Sequence, residues 1–577
     1  MTSSILFRTV NGWVAAALAS VLGLAYATIL LGPDVVLGTS DYWRSPQGNS
    51  GGLLDMKWAM SGYFWFVQDD WRWPLFHVDR VNGPTGANVA LVDPVPILAL
   101  AAKVFRSMTG IVLNLFPVWV AATFALNAAA LTVLVRTLGQ RSILAAVLSA
   151  GLAAMAPVIH HRFGHFGHAA HWVFIFALAI YFAWSARPRT TFAEPLGLVA
   201  LCLLAVGINL YLYVMTAAIA AAWLLQAVAR RSIPLPAAAA GMLAVLGAGV
   251  APLWAFGLLS NPDLAQVTIP FGEDSMNLMA PFWPQTSGAF SWTGLYLLTR
   301  GSIGATKGQY EGYCYLGLGA LILLAVAGWT NRRIIPTLIG RHWALVLALA
   351  TLTLWAISNR VYFGSVLVAS YPLPDWLLNT VLAWFRAGGR FFWPVAWLAV
   401  GLAIAGTLAA LRPRHAAGIA MLALLLQWID ISIWRDRLQT LTSQAPVSAF
   451  GTRTEAAALE AEIARLGQVA VVPSMMCNAN GGGDYNAPDT QGAMEVQLMA
   501  ARSNATMPYI ALARGAALCP TERSTPLPAV AESGLLIALA QPGELDRTEE
   551  ARRTMSCRSV SIGWVCTAIP GTAKIKQ

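Results

Sequence analysis

The chain has 577 residues, of which 57% are hydrophobic and 11% are charged, and its mean hydropathy is +0.60. Soluble domains carry about 25% charged residues, so this composition excludes a soluble protein of this size. The apolar content also excludes a disordered chain. The net charge of +10 does not indicate nucleic-acid binding, because the excess Lys and Arg of membrane proteins lies mostly in cytoplasmic loops. The composition predicts a polytopic α-helical membrane protein.

Apolar runs along the chain predict about eleven transmembrane helices, because a hydrocarbon core about 30 Å thick needs about 20 apolar residues per helix. The fifth and sixth runs meet at residues 207–213, which could form a tight turn or a break within one helix. The predicted spans are residues 12–32, 112–138, 143–158, 171–186, 195–211, 213–229, 236–258, 312–330, 342–358, 390–410 and 416–433.

Basic residues predict the orientation. The connector after every second span is short and carries arginines, as at Arg230–Arg231 and Arg332–Arg333. The positive-inside rule therefore places these connectors and the N-terminus in the cytoplasm. The first run lacks a cleavage pattern, so we expect a retained helix. The long loops then lie outside, and we expect a bacterial inner-membrane protein whose periplasmic loops are residues 33–111, 159–170, 259–311 and 359–389.

The segment after residue 435 differs in composition from the membrane part. Residues 1–435 form the predicted transmembrane domain, and residues 436–577 form a predicted soluble α/β domain in the periplasm. Helical periodicity covers residues 455–466, and strand patterns cover residues 469–472, 534–540 and 560–566.

The C-terminal segment contains four of the six cysteines: Cys477, Cys519, Cys557 and Cys566. Cysteines in a periplasmic segment favour two disulfides. A zinc site is the alternative, but the segment has no CxxC motif and no histidine. Cys557 and Cys566 are close enough in sequence to form the easiest local bridge, which would leave Cys477 to pair with Cys519.

The first outer loop contains an acidic residue followed by an aromatic helix. The pattern over residues 53–67 is amphipathic and rich in Trp, Tyr and Phe, which predicts a helix along the membrane surface. Asp55 falls in its first turn, where the helix dipole favours a carboxylate. Asp55 could therefore be a solvated capping residue.

The order of motifs in this loop resembles the start of GT-C glycosyltransferases, the superfamily of protein O-mannosyltransferases and lipid A aminoarabinose transferases. Asp55 matches the acidic residue after the first transmembrane helix, and residues 69–74 (DDWRWP) match a "GDW..P"-like step. Residues 88–105, with Asp93-Pro94, resemble the proline-opened segment that follows. The chain departs from the family pattern at Met56 and Lys57, which replace a second charged neighbour, and at Asp93, where aminoarabinose transferases carry Lys.

This resemblance implies a function. It implies an inverting transferase that moves a sugar from polyprenyl phosphate to a glycan, lipid or protein acceptor at the periplasmic face, with Asp55 as general base. Asp69, Asp70 and Asp93 would then contribute to substrate binding. GT-C enzymes include metal-free members and members that use Mg or Mn, and Asp69-Asp70 fits either. No cofactor is therefore certain.

A histidine cluster lies in the second outer loop. Five of the eight histidines fall within residues 160–171. His165, His168 and His171 have a spacing that could share one helix face and bind a metal, although Gly164 and Gly167 weaken a helix there. We favour hydrogen bonding to a phosphate or a sugar hydroxyl. Solvated interfacial histidines are the alternative.

Two further groups of polar residues lie in outer loops. Arg386 and Arg390 flank Gly388-Gly389 where the last long loop re-enters the membrane. They could extend to water, but guanidinium groups also suit a lipid phosphate. The 259–311 loop carries residues that could bind an acceptor sugar or a divalent cation, or could be ordinary loop residues: Glu273, Asp274, Asn277, Gln309 and Glu311.

Three functions remain open at this stage. A transporter or flippase of lipid or polysaccharide should carry ionisable residues at the bilayer midplane. The predicted spans are almost free of them, which favours a one-sided catalytic site facing membrane lipids. A non-catalytic envelope assembly protein is the third hypothesis. The glycosyltransferase is the preferred prediction.

Overall fold

The computed structural model describes residues 6–46, 55–187, 190–191, 193–259, 261, 270–291, 304–444, 448–472, 488–510, 512, 534–539 and 555–569. Helices dominate this part of the chain. The first half contains α1 (Gly12–Leu31), α2 (Pro33–Leu37), α3 (Asp55–Gln68), α4 (Pro96–Thr109), α5 (Phe116–Thr137), α6 (Ile143–Ala154), α7 (Pro157–His161), α8 (Trp172–Ser185), α9 (Ala193–Ile208), α10 (Leu210–Ala229) and α11 (Leu235–Ala255).

The second half contains the remaining helices of the described residues and most of the strands. The helices are α12 (Gly288–Ser291), α13 (Leu318–Asn331), α14 (Ile335–Arg341), α15 (Trp343–Ile357), α16 (Asp375–Leu378), α17 (Val381–Trp384), α18 (Trp393–Ala410), α19 (Pro413–Asp430), α20 (Ser432–Ser443), α21 (Arg453–Leu466) and α22 (Pro488–Arg502). The strands of the described residues are β1 (His77–Val78), β2 (Ala87–Asn88), β3 (Arg360–Phe363), β4 (Val366–Ser370), β5 (Val469–Val472), β6 (Leu535–Leu539), β7 (Met555–Val560) and β8 (Gly563–Ala568).

Each of the eleven predicted apolar runs coincides with a helix, but eleven spans are not confirmed. Among the described residues, six helical segments are long and apolar enough to cross a membrane. Two bent helix pairs, α13–α14 at 95° and α19–α20 at 52°, would raise the number to eight. Helices α8, α9 and α15 are apolar but shorter. The described residues therefore contain six to eight helical segments that could cross a membrane, which fits a helical membrane protein.

Small residues allow the long helices to approach closely. Helix α1 packs against α5 and α6, and α13 packs against α18 and α19. A Cβ atom at Gly23 would lie 2.6 Å from the carbonyl oxygen of Phe124. The α1–α5 contact therefore requires glycine at this position, as is common where helices pack inside a membrane.

The junction between α9 and α10 is a tight turn at one residue. Asn209 is extended between the two helices, and its Oδ1 accepts a hydrogen bond from the Tyr211 N–H at 3.0 Å. Helices α9 and α10 pack against each other. Of the two alternatives at residues 207–213, the structure therefore has two helices joined by a turn.

Helix α3 begins at Asp55, but the expectation that this helix lies on the membrane surface is wrong. Met56, Trp65 and Phe66 are each 0% exposed. Helix α4 and the C-terminal helix α22 both pack against α3. Its aromatic side chains are therefore part of a protein core.

The C-terminal segment is a small α/β unit. Helix α21 begins with a capping box formed by Thr452 and Glu455. The sheet order is β5-β6-β8-β7, with β5 parallel to β6 and the other neighbours antiparallel. Strands β5 and β6 match the predictions at 469–472 and 534–540. Helix α20 runs across the boundary expected between residues 435 and 436.

Two features of this segment differ from the sequence-based expectation. Residues 560–566 are not one strand, because Ser561 and Ile562 form the turn between β7 and β8. Helix α22 was not predicted, because buried Thr490, Glu495 and Gln497 interrupt its apolar pattern.

One of the two predicted disulfides is present. Cys557 and Cys566 are bonded and lie directly opposite each other on β7 and β8. Cys477 and Cys519 lie outside the described residues, so their pairing stays a prediction. Cys202 and Cys314 are free and buried.

Candidate functional site

Residues from three predicted outer loops and from the start of the tenth predicted span meet in one polar cluster. A chain of contacts joins them: Asp55 Oδ2 lies 2.8 Å from His165 Nε2, and the His165 and His168 rings are 5.3 Å apart. His168 Nε2 lies 2.7 Å from Arg390 Nη1, and Arg390 Nη2 lies 2.7 Å from Glu311 Oε2. These residues come from sequence positions far apart, and only folding brings them together.

The Asp55 carboxylate is the accessible end of this cluster. It lies in the first turn of α3, and its side chain is 27% exposed, whereas that of His165 is 12% exposed. The contact with His165 Nε2 involves one carboxylate oxygen, Oδ2. Part of the carboxylate therefore remains open to a second partner.

The centre of the cluster is one carboxylate between two arginines. Glu311 Oε2 accepts from Arg162 Nη1 at 2.6 Å and from Arg390 Nε at 3.1 Å. Burial alone would raise the pKa of Glu311, but the charges of Arg162 and Arg390 lower it well below its usual range. Two guanidinium groups therefore share one permanent negative charge, and the triad has a net charge of about +1.

The histidine between Asp55 and Arg390 is neutral. Burial, and then the charge of Arg390, lower the pKa of His168 well below its usual range. Arg390 can only donate, so His168 accepts at Nε2 and carries its proton on Nδ1. That Nδ1 lies 4.0 Å from Asp93 Oδ2. His168 therefore directs a hydrogen-bond donor towards the Asp93 side of the cluster.

Asp93 is held by the turn between α9 and α10. Asn209 Nδ2 lies 3.1 Å and 3.3 Å from its two carboxylate oxygens. Asp93 adopts a left-handed conformation with φ 57°, which Asp tolerates better than most residues. The proline-opened segment therefore brings Asp93 to the cluster. There Asp93 accepts hydrogen bonds from the Asn209 amide and lies 4.0 Å from His168.

A second carboxyl group lies behind the triad. Asp274 is 5% exposed, and its backbone carbonyl accepts a hydrogen bond from the Gly389 N–H at 3.0 Å. Burial, and then the negative charge of Glu311, raise the pKa of Asp274 to about 7, against the opposing charges of Arg390 and Arg386. The pKa of Asp274 therefore lies near neutral pH.

Buried nitrogen atoms of the cluster lack partners. His165 Nδ1, His168 Nδ1 and Arg162 Nε are buried and have no hydrogen-bond partner within the described parts of the chain. Buried polar groups are normally hydrogen-bonded. These atoms are therefore available to water or to a polar ligand.

An apolar cavity adjoins the cluster. It lies between α5 and the second outer loop, and Arg162 and His165 contribute its polar lining. Its apolar lining includes Trp119, Phe124 and Ile159. A ligand with a charged group and a hydrocarbon chain would find both surfaces side by side.

The three histidines proposed to share a helix face do not do so. Residues 163–170 form turns between α7 and α8, because Gly164 and Gly167 interrupt the helix. His171 lies apart from the cluster: its Nδ1 accepts from Trp397 Nε1 at 2.7 Å. Across the described residues, no group of three or more His, Cys, Asp or Glu side chains could hold a metal ion.

Several predicted binding residues make local contacts away from the cluster. Asp69 is 5% exposed and pairs with Arg72 at 2.8 Å, and the exposed Asp70 uses its carbonyl to accept from Lys103. Glu273 accepts from the Lys307 N–H, and Asn277 donates to Gln309 at 3.1 Å. Glu273, Asn277 and Gln309 thus link separate segments of the 259–311 loop, and Gln309 lies two residues before Glu311.

Two residues of the site were not among the predicted site residues. Arg162 lies inside the histidine-rich segment, and an arginine at the end of an apolar run was a usable signal. Asn209 interrupts two apolar runs, which was a second signal. Asp274 was named with the other polar residues of its loop, but no local pattern in the sequence indicates its burial.

The comparisons with known proteins concern the part of the chain that builds the cluster. A family model described as Domain of unknown function (DUF6311) matches residues 20–432. This range contains all four loops and ends inside α20, before the C-terminal sheet. No curated protein matches the sequence. Because the family model covers more than half of the 577 residues, the chain belongs to the DUF6311 family.

Proposed function

We propose that the protein is a GT-C-type glycosyltransferase, which transfers a sugar from a polyprenyl-phosphate donor to a glycan, lipid or protein acceptor at the periplasmic face of a bacterial inner membrane. One observation carries the proposal. The accessible carboxylate of Asp55 lies 2.8 Å from His165, in a cluster that also contains two buried arginines and borders an apolar cavity.

Asp55 would act as the general base. In the reaction, the acceptor hydroxyl attacks the anomeric carbon as Asp55 removes its proton. The bond from that carbon to the phosphate oxygen breaks, the electron pair leaves with the phosphate, and the configuration inverts. A base must be reachable by the proton that it removes, and the partial exposure of Asp55 meets this requirement.

The arginines would bind the phosphate of the donor. Arg162 and Arg390 are shared with Glu311, so the triad offers about one net positive charge, and Arg386 adds another nearby. Guanidinium groups suit phosphate oxygens and stabilise charge on a leaving phosphate. The apolar side chains beside Arg162 would contact the first part of the prenyl chain.

No step of this reaction uses a metal ion, because no group of three acidic, His or Cys side chains in the described residues could hold Mg or Mn. Adding a chelator to the assay described below will decide whether turnover needs a divalent cation.

The decisive experiment supplies purified protein in vesicles with radiolabelled polyprenyl-phosphate sugars and a panel of acceptors. We expect labelled product and release of polyprenyl phosphate, and loss of both in Asp55→Asn. Asp375→Asn is the matched control, because Asp375 also occupies the first turn of an outer-loop helix but is exposed. Donor movement across the membrane without release of sugar would instead support a flippase. The absence of both activities would support a non-catalytic assembly protein.

The proposed orientation has its own test. Mass spectrometry of non-reduced peptides from native membranes should show the Cys557–Cys566 bridge and a Cys477–Cys519 bridge. Four free thiols would contradict the placement of the C-terminal segment in an oxidising compartment.

A further inference from the structure

A polar stripe runs along helix α3 on the side away from solvent. Lys57, Ser61, Trp65 and Gln68 are spaced four, four and three residues apart, so they lie on one face of the helix. Such a stripe on a surface helix would face water. Here Lys57 is 1% exposed and Ser61 and Trp65 are 0% exposed, so the stripe must contact protein.

The contacting protein is the C-terminal segment. Gln497 Nε2 donates to Ser61 Oγ at 3.2 Å, Trp65 Nε1 donates to the Ala505 carbonyl at 3.1 Å, and Gln68 Nε2 donates to the Ala501 carbonyl at 2.7 Å. All three partners lie in α22 or in the turn after it. The stripe is therefore satisfied over its length by a segment that lies beyond the family match.

Lys57 adds a buried ionisable amine to the same face. Burial lowers its pKa, while the charge of Glu495 on α22 opposes that effect and Arg502 reinforces it. Glu495 is itself 3% exposed. The start of α3, two residues after Asp55, is therefore coupled electrostatically to α22.

The C-terminal segment also contacts the chain on both sides of α3. Before the helix, Arg502 Nη1 donates to the Arg44 carbonyl at 2.6 Å. After it, Asn82 Oδ1 accepts from the Ile510 N–H at 2.8 Å, and Val81 forms a bridge with Met507. The helix that carries Asp55 is therefore bound to α22 along its face, and its two flanking segments are bound to α22 and to the residues that follow α22.

We propose that the C-terminal segment is a fixed platform that positions Asp55 through the polar stripe of α3, with Lys57, Ser61, Trp65 and Gln497 as positioning residues. It does not open and close over the site. This inference rests on the proposed role of Asp55 for its catalytic consequence, but the mechanical coupling stands without that role.

The first measurement is hydrogen exchange of the α3 amides in the full-length protein. Gln497→Ala removes one hydrogen bond across the platform, so we expect α3 amides to exchange about 5- to 10-fold faster. The matched control is Gln439→Ala, because Gln439 donates to the Ile29 carbonyl at a distance from α3. Unchanged exchange of the α3 amides in Gln497→Ala would contradict the proposal that the C-terminal segment holds α3.

A second variant guards against misfolding of the first. Trp65→Phe keeps the ring but removes the hydrogen bond to Ala505, and it should accelerate α3 exchange in the same way. The control is Trp13→Phe, since Trp13 is 87% exposed on α1. If Trp65→Phe leaves the exchange unchanged, α3 is held by its apolar contacts and the stripe has no positioning role.

Turnover separates positioning from stability. In folded Gln497→Ala protein, we expect kcat to fall about 5- to 10-fold, by the loss of about one hydrogen bond, with the KM for the donor unchanged. Faster exchange with normal kcat would overturn the positioning role, provided that Asp55→Asn is inactive. Faster exchange in Gln497→Ala, together with wild-type turnover in Asp55→Asn, would instead refute the proposed function. The proposal that the C-terminal segment holds α3 would then still stand.

Discussion

The two ends of helix α3 each carry buried or partly buried acidic residues, but their partners differ. At its start, Asp55 contacts His165 from another loop at 2.8 Å and remains 27% exposed. Just after its end, Asp69 contacts Arg72, three residues along the chain, and is 5% exposed. A carboxylate whose partner is local is neutralised within its own turn. Asp55, whose partner comes from a distant loop, keeps an exposed side that a ligand can reach.

The largest expected effect tests this comparison directly. Asp55→Asn keeps the size of the side chain and removes the base, so turnover should fall by about 10²–10⁴-fold without loss of folding. Asp69→Asn loses a partly buried ion pair and should cost about 1 kcal/mol of stability, with turnover per folded molecule kept within about twofold. Rates and thermal unfolding in detergent measure both. A variant of Asp55 that retains more than half of the wild-type rate would remove it from the mechanism.

The second prediction concerns the carboxylate at the centre of the cluster. Glu311→Gln leaves Arg162 and Arg390 buried without their shared negative charge, which should destabilise the protein by about 3–5 kcal/mol. Thermal unfolding at neutral pH measures the loss. Glu273→Gln, in the same loop but paired with a backbone N–H, is the matched control and should change stability by less than about 1 kcal/mol. Equal effects of the two substitutions would contradict the central role of the triad.

The third prediction concerns the arginines. Arg390→Ala should weaken binding of the lipid-phosphate donor about 10- to 100-fold, because a charge-assisted contact is lost, and it should affect the acceptor less. Arg386→Ala should act in the same direction, and Lys should rescue either position only partly. Arg360→Ala is the control, since Arg360 is exposed on β3 in the same loop. Donor affinities that match the wild type would leave these arginines without a binding role.

The last prediction concerns pH dependence. The pKa of Asp274 rises from 3.8 to about 7 on folding. Between about pH 4 and 7 the folded state keeps a proton that the unfolded chain releases. The free energy of unfolding therefore falls as the pH rises, by up to about 1.4 kcal/mol per pH unit. This fall ends above pH 7. Asp274→Asn should flatten this part of the stability profile. A wild-type slope that persists in Asp274→Asn would assign it to another group.

Much of the site could be predicted from the sequence, because its residue types are unusual in an apolar chain. Asp55, His165, His168, Glu311 and Arg390 were all singled out, and the structure brings them into one chain of contacts. Asp69 and Asp70 were singled out on the same grounds but lie elsewhere. Sequence alone could not separate these groups, because residue type indicates an ability to bind and not which partners folding supplies.

The sequence by itself determined the class of the protein, the positions of its apolar helices and the grouping of its polar residues in a few loops. These properties follow from hydrophobicity and periodicity, which act over short stretches of chain. Only the tertiary structure decided that α3 is buried, that Glu311 neutralises Arg162 and Arg390, and that the C-terminal segment supports the helix of Asp55. Those outcomes depend on contacts between residues as far apart as Trp65 and Ala505. The same amphipathic, aromatic pattern can face lipid or protein, and the partner that removes it from water is encoded elsewhere in the chain.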